Sequence, residues 1–386
     1  MRKKAGSIIA AVLLTSILFS GFNQIEVKAA GENQTEEIQE QSVIPVIKKR
    51  VRPVKKGESL TGIARDVYGD SSKAEFLYEV NKNMIGEDPD YLQADTYLVL
   101  PEIPSEQMKW KELYERAAQK DKENYYEWDI YDTWCNEAVP YYIEEHYFYK
   151  DPLDKDYGKW EASEETMDIC YPQIVFKDGR DAALINTAIR NCAMDSAYFL
   201  YLDPSEELLD RCKNDERFNL SWLVSRVHYQ ITYMDDHLFS VTFQDAYFSG
   251  SIYTESYELR AVTINLDTGH VYTRDELFTN KEQLAEKVHD ILQSEYTEED
   301  SQYLVYEEIM DTELFRQLLE TERWIDGRYK GVMFLDRTGI NIGASFRVGN
   351  DGFIWRGYRT APFTPQEIAE YQSDSDFFEI WKPDLL

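Results

Sequence analysis

Catalytic signatures are scarce in this sequence. Its five histidines are scattered, and none stands at metal-ligand spacing from another. Glu144-Glu145-His146 lacks the His-Glu-x-x-His order that puts two imidazoles on one helix face, and reads as a polar surface turn. There is no Gly-x-Ser-x-Gly elbow and no glycine-rich phosphate loop, which removes the usual marks of serine hydrolases and P-loop nucleotide binders. Only four cysteines occur, Cys135, Cys170, Cys192 and Cys212, without a Cys-x-x-Cys pair, so dithiol redox and cysteine-zinc readings fall away. The four permit two disulfides in any of three connectivities. Asp267-Thr268-Gly269 spells the aspartic-protease triplet, but it falls where a hairpin turn calls for Asp and Gly. Asp151, Asp154, Asp156 and Glu161 around Gly158 lack the third Asp or Asn of a calcium loop and read as a solvated acidic loop. No metal and no cofactor is expected. A two-carboxylate glycosidase leaves no short motif, so that single enzyme class stays open.

Positive charge is also short, with 41 Lys and Arg against 72 Asp and Glu, a net of −31. Residues 1–102 hold 13 basic and 15 acidic side chains, leaving 28 against 57 in residues 103–386, a net of −29. The acidity therefore belongs to the second part of the chain. Nucleic acid and anionic polymers should be repelled there, and a basic protein steered in. The plainer reading is that the charge keeps the protein soluble.

Long apolar runs are absent after the first. Met1-Arg2-Lys3-Lys4 precedes an apolar stretch from Ala5 to about Phe22, and Val27-Lys28-Ala29-Ala30 follows. This is the pattern of a secretory signal peptide cut after Ala29 or Ala30, with an uncleaved anchor as the alternative. Residues 1–30 are thus read as the signal and the acidic, polar residues 31–50 as a linker. A secreted protein held at the cell wall or cell surface is the expectation.

The stretch 51–102 is the most informative. Val54 to Lys56 reads as extended and Gly57 as a turn. Ser59 then caps a helix carrying Leu60, Ile63, Ala64 and Val67, which Tyr68-Gly69-Asp70 stops. Ser72 and Glu75 form a capping-box pattern for a second helix with Phe76, Leu77 and Val80 as its apolar face. After a turn-rich loop, Tyr97-Leu98-Val99-Leu100 reads as a strand ended by Pro101. A strand–helix–helix–strand unit this small buries its helices only if its two strands pair.

These residues resemble a LysM domain, in its longer-spaced variant. Lys56-Gly57-Glu58-Ser59-Leu60, Ile63-Ala64, Tyr68-Gly69-Asp70, Asn81 and Leu98-Val99-Leu100-Pro101 follow the family's order. The chain departs from it at Thr61-Gly62, where a large apolar residue is usual, and at Ala94-Asp95 in place of Pro-Gly. The resemblance implies binding of N-acetylglucosamine-containing glycan, chiefly peptidoglycan or chitin. It places the groove between Gly57, Glu58, Ser59, Leu60 and Thr61 on one loop and Asn83, Met84, Ile85 and Gly86 on another. An uncharged N-acetyl sugar suits such a shallow groove of backbone groups and apolar side chains.

Residues 103–124 are charged with a thin apolar stripe and read as a helical spacer. From residue 125 to 386 the chain is rich in aromatics. Strand patterns at Asp168–Phe176, Val227–Tyr233, Leu238–Phe248, Tyr257–Leu266, Val332–Leu335 and Ile340–Phe346 alternate with helical ones. The helical patterns run from Asp181 to about Leu202, around Leu284–Leu292, and near Leu314–Leu319. The fold class is α+β, a small βααβ unit beside a larger α+β domain with a mainly antiparallel sheet. Residues Met167 to Phe363 are similar to the extracellular domain of lysozyme-sensing anti-sigma factors, a domain that also precedes deacetylase domains in some secreted peptidoglycan deacetylases. That similarity rests on Ile169-Cys170-Tyr171-Pro172-Gln173-Ile174, Thr242-Phe243-Gln244 and Asn265-Leu266-Asp267-Thr268-Gly269, with Thr273-Arg274-Asp275-Glu276-Leu277-Phe278. It departs at Ser249-Gly250-Ser251-Ile252, where the family has Gly-Gly-Ala-His.

The combined expectation is a non-catalytic, exported binding protein that holds wall glycan through residues 51–102 and captures a basic protein such as lysozyme with the acidic domain. The alternatives are a peptidoglycan hydrolase targeted by the LysM unit, or a structural envelope protein.

Overall fold

A computed structural model describes residues 47–101, 131, 133–135, 138–150, 166–251, 254–294, 311–350 and 353–382. The expected signal peptide, the linker up to residue 46, the spacer 103–124 and the acidic loop around Gly158 lie outside the described residues. All described residues belong to one compact unit. None of their helices is long and apolar enough to cross a membrane.

The chain begins with β1 (Ile47–Pro53), then α1 (Leu60–Tyr68), α2 (Ala74–Ile85) and β2 (Tyr97–Val99), which runs antiparallel to β1 with Val51 opposite Val99. Ser59 caps α1 through its Oγ, which accepts from the Gly62 N–H, and Gly69 closes the helix in the left-handed region at φ 67°. Val54, Leu60, Ile63, Leu77, Leu98 and Leu100 form the small core. Two expectations for α2 do not hold. The capping box of Ser72 and Glu75 is replaced by Asp70, whose side chain accepts from the Ser72 N–H and caps a 3-10 turn, Ser71–Lys73. The inward face of α2 also differs: Leu77 and Asn81 are buried, while Phe76 and Val80 face solvent.

β1 also starts earlier than expected. Ile47–Arg50, read as linker, pair in parallel with β4 (Tyr141–Lys150), which follows the short β3 (Trp134–Cys135). Cross-strand ion pairs accompany the pairing: Lys48 meets Glu145 at 2.9 Å and Lys49 meets Glu144 at 2.7 Å. Glu144-Glu145-His146 is accordingly mid-strand rather than a surface turn.

From β4 the large sheet continues through β5 (Thr166–Phe176), α3 (Ala183–Ala193), α4 (Glu206–Asn214), β6 (Leu223–Met234), β7 (Leu238–Ser249) and β8 (Glu255–Asn265). Its strand order is β2-β1-β4-β5-β6-β7-β8, with β3 beside β6. The β1–β4, β5–β6 and β3–β6 pairs are parallel and the rest antiparallel. The helix expected from Asp181 to Leu202 breaks after α3 into a short Asp195–Ala197 segment and a π-helical turn, Tyr198–Leu202. That turn brings Phe199 edge-on to Tyr247 and Tyr201 against Phe148.

Helices α5 (Lys281–Ser294) and α6 (Thr312–Glu320) pack a second core against a three-stranded sheet of β9 (Tyr329–Leu335), β10 (Ile340–Asn350) and β11 (Phe353–Phe363). The outer edge of β8 is covered rather than open, because Ser345 Oγ accepts from the Leu259 N–H at 2.9 Å and donates to the Leu259 carbonyl at 2.8 Å. Gly331 is required by packing, since a Cβ there would meet the buried Arg274 guanidinium at 2.6 Å. The class is α+β with a large, mainly antiparallel sheet, as expected. No disulfide joins Cys170, Cys192 and Cys212 to one another; the Cys135 side chain lies outside the described residues.

Candidate functional site

Each loop of the expected groove is tied down at its base. In the first, Gly57 sits at φ 82°, a backbone region that side chains disfavour, and lets the chain double back from Lys55 to Glu58. Arg52, buried on β1, donates two hydrogen bonds to the Glu58 carboxylate at 2.9 and 2.7 Å, and the Lys55 N–H donates to the same group at 2.8 Å. Burial alone would push the Glu58 carboxyl up. The Arg52 and Lys55 donors overcome that and hold it below the ordinary carboxylate value.

In the second loop Tyr78, one turn into α2, donates its hydroxyl to the Gly86 and Glu87 carbonyls at 3.0 and 3.1 Å. Asn81 locks α2 to β2. Its fully buried amide donates to the Leu77 and Val99 carbonyls at 2.8 Å and accepts from the Val99 N–H at 2.7 Å. Asn81 thereby does for the edge of β2 what another strand would do.

The nine expected groove residues do not all lie on loops: Leu60 and Thr61 open α1, and Asn83, Met84 and Ile85 form the last turn of α2, with Gly86 as its cap. They also divide by exposure. Gly57, Ser59, Thr61, Asn83, Met84 and Gly86 are exposed. Ile85 is half-buried against the small core that also contains Leu60. Two side chains are committed elsewhere: Leu60 is inside the core, and the Glu58 carboxylate is taken by Arg52. They shape the loop rather than line its surface. Arg52 and Tyr78 were missed by sequence reasoning; a lone Arg six residues before a Glu carries no readable signal.

The βααβ unit is joined to the larger domain by more than β1. Val51, Tyr97 and Val99 pack on the large core, the Lys55 ammonium lies 3.6 Å from the Tyr201 ring centre, and the Arg190 guanidinium lies 4.4 Å from that of Tyr97. Glu145 also accepts from the Tyr229 hydroxyl at 2.9 Å. The basic run Lys48-Lys49 therefore finds its partners within the chain.

The larger domain holds a buried ionic cluster that sequence reading also missed. Arg260 lies 2.6 Å from Asp245 and 3.7 Å from Glu258. Glu258 accepts from the Tyr247 hydroxyl at 2.5 Å and pairs with Arg347, whose guanidinium stacks 4.0 Å from the Trp324 ring centre. Burial pushes the Asp245 carboxyl up, against the pull of Arg260. Both carboxylates are sealed from solvent and neutralised by arginines, so this pair cannot present an acid and a base to a substrate. Asp267-Thr268-Gly269 is a hairpin turn with Gly269 at φ 75°, and Asp267 is held by His237 at 2.7 Å and Arg180 at 3.3 Å.

No family model matches the chain, and no curated protein does. Among solved structures it is similar to a DUF3298 family protein from Pseudomonas aeruginosa PAO1, at 10% identity and a TM-score of 0.32 over 61% of this chain and 93% of that one. A second DUF3298 family member, from Bacteroides fragilis NCTC 9343, matches at 12% identity and a TM-score of 0.35 over 62% of this chain and 97% of that one. Those likenesses are too remote to carry a functional argument, and the LysM resemblance rests on the residues of the βααβ unit alone.

Proposed function

We propose that this chain is an exported, wall-associated binding protein that holds N-acetylglucosamine-containing glycan through its βααβ unit. The observation that carries the reading is the pair of tethered loops: each is fixed at its base, by Arg52 or by Tyr78, while Ser59, Thr61, Asn83 and Met84 stay exposed. Pre-ordered loops lose little entropy on binding, which suits a weak, uncharged ligand. The second domain is a non-catalytic receiver for a basic protein such as lysozyme, supported by its charge, and its association rate should fall as salt rises. A sedimentation pull-down of the full chain on insoluble peptidoglycan and chitin tests the glycan reading. Retention on both, with none on cellulose, is expected; a chain left wholly in the supernatant would remove it.

A further inference from the structure

Among the described residues six large apolar side chains are exposed: Phe76, Val80, Met84, Tyr91, Leu184 and Tyr198. Four of the six fall between Phe76 and Tyr91, inside one small unit, so they are concentrated rather than scattered. Phe76, Val80 and Met84, at 42, 43 and 49% exposure, are spaced four apart and line up along one side of α2. Eight residues at the helical rise make that line about 12 Å long. It ends in the last turn of α2, where Asn83, Met84 and Ile85 of the expected groove lie, and it shares Met84 with that groove.

We infer that this line is an extension of the glycan site, on which sugar rings beyond those held by the loops lay their apolar faces and N-acetyl methyl groups. The inference rests on the glycan reading proposed above. Two observations favour a glycan over other occupants. The line is continuous with the expected groove through Met84, which is exposed. Charge points the same way: residues 1–102 hold 13 basic and 15 acidic side chains, so the unit that carries the line is close to neutral and offers a charged partner little steering, which suits an uncharged acetylated glycan.

The full chain is titrated with N-acetylglucosamine oligomers of increasing length, using wild type and the double substitution Phe76→Ser with Val80→Ser. Both positions are half-exposed and outside the loops, so the variant should keep its fold, which circular dichroism checks. Wild-type affinity should climb with length, and the variant should lose about tenfold on the longest oligomer while matching wild type on the shortest. Equal affinity of the two proteins for the long oligomer would overturn the extension and leave the loop site standing. No binding of any oligomer by wild type would overturn both. A wild-type dimer in sedimentation that the double substitution dissolves, with glycan affinity unmoved, would reassign the line to self-association.

Discussion

Asn81→Leu removes one amide and keeps the volume, and the structure says what that removes. Asn81 satisfies both backbone groups of Val99, with bonds of 2.7 and 2.8 Å, and is itself fully buried. Leucine leaves the Val99 N–H and C=O without partners. Each stranded group costs about 1–3 kcal/mol, and Val99 is only half-buried, so the lower part of that range applies to both. Leucine's added apolar surface returns about 1 kcal/mol. A net loss of about 2 kcal/mol is expected, concentrated in the βααβ unit rather than spread over the protein. The unit contains no tryptophan, so global fluorescence is a poor probe of it. Hydrogen exchange read by peptide mass serves better: amides of α2 and β2 should exchange roughly thirtyfold faster, with those of β7 unchanged. Exchange in α2 and β2 within about threefold of wild type would refute the reasoning.

Three further outcomes follow from the same contacts. Lys48→Glu with Lys49→Glu sets like charges against Glu145 and Glu144 and should lower stability by about 1–2 kcal/mol in urea unfolding, less at high salt, because these lysines are partly exposed. Tyr78→Phe frees the Gly86 and Glu87 carbonyls and should weaken glycan affinity several-fold while shifting the thermal midpoint little, as calorimetry would register. Acid should loosen the βααβ unit in two ways. Arg52 and Lys55 hold the Glu58 carboxyl low, so its contribution is complete above the ordinary carboxylate range and is lost as pH falls through the depressed value. Burial lowers His146 against the pull of Glu144, so the joint with β4 is best with His146 neutral and weakens as pH drops below the ordinary histidine value. Exchange rates of β1 amides followed from pH 7 downward would show both, once corrected for intrinsic exchange.

Much of the fold was readable because it rests on local rules. Ser59 as a cap, Gly69 as a stop and Asp267-Thr268-Gly269 as a turn all behave as their chemistry dictates. The long alternating strands β6, β7 and β8 declare themselves by period. What escaped depends on partners far away in sequence. Ile47–Arg50 is a strand through its pairing with β4, almost a hundred residues on, where Glu144 and Glu145 meet its lysines. The face of α2 was misread: Leu77 and Asn81 are the residues buried on it, while Phe76 and Val80 face solvent. Of the expected groove, Leu60 and Glu58 proved to be supports, and the residues that hold the loops, Arg52 and Tyr78, carry no motif. The ionic cluster of Asp245, Glu258, Arg260 and Arg347 joins β7, β8 and β10, a convergence that spacing along the chain does not reveal.

Calorimetric titration of the full chain with a soluble N-acetylglucosamine oligomer, beside the same oligomer deacetylated, tests the central claim most directly. Loops that present uncharged backbone and apolar groups should select the acetyl groups. Heat of binding with the acetylated oligomer and none with its deacetylated counterpart is predicted. A stronger response to the deacetylated, positively charged oligomer would show that the acidity of the protein, and not the βααβ groove, takes up the glycan, and would contradict the account.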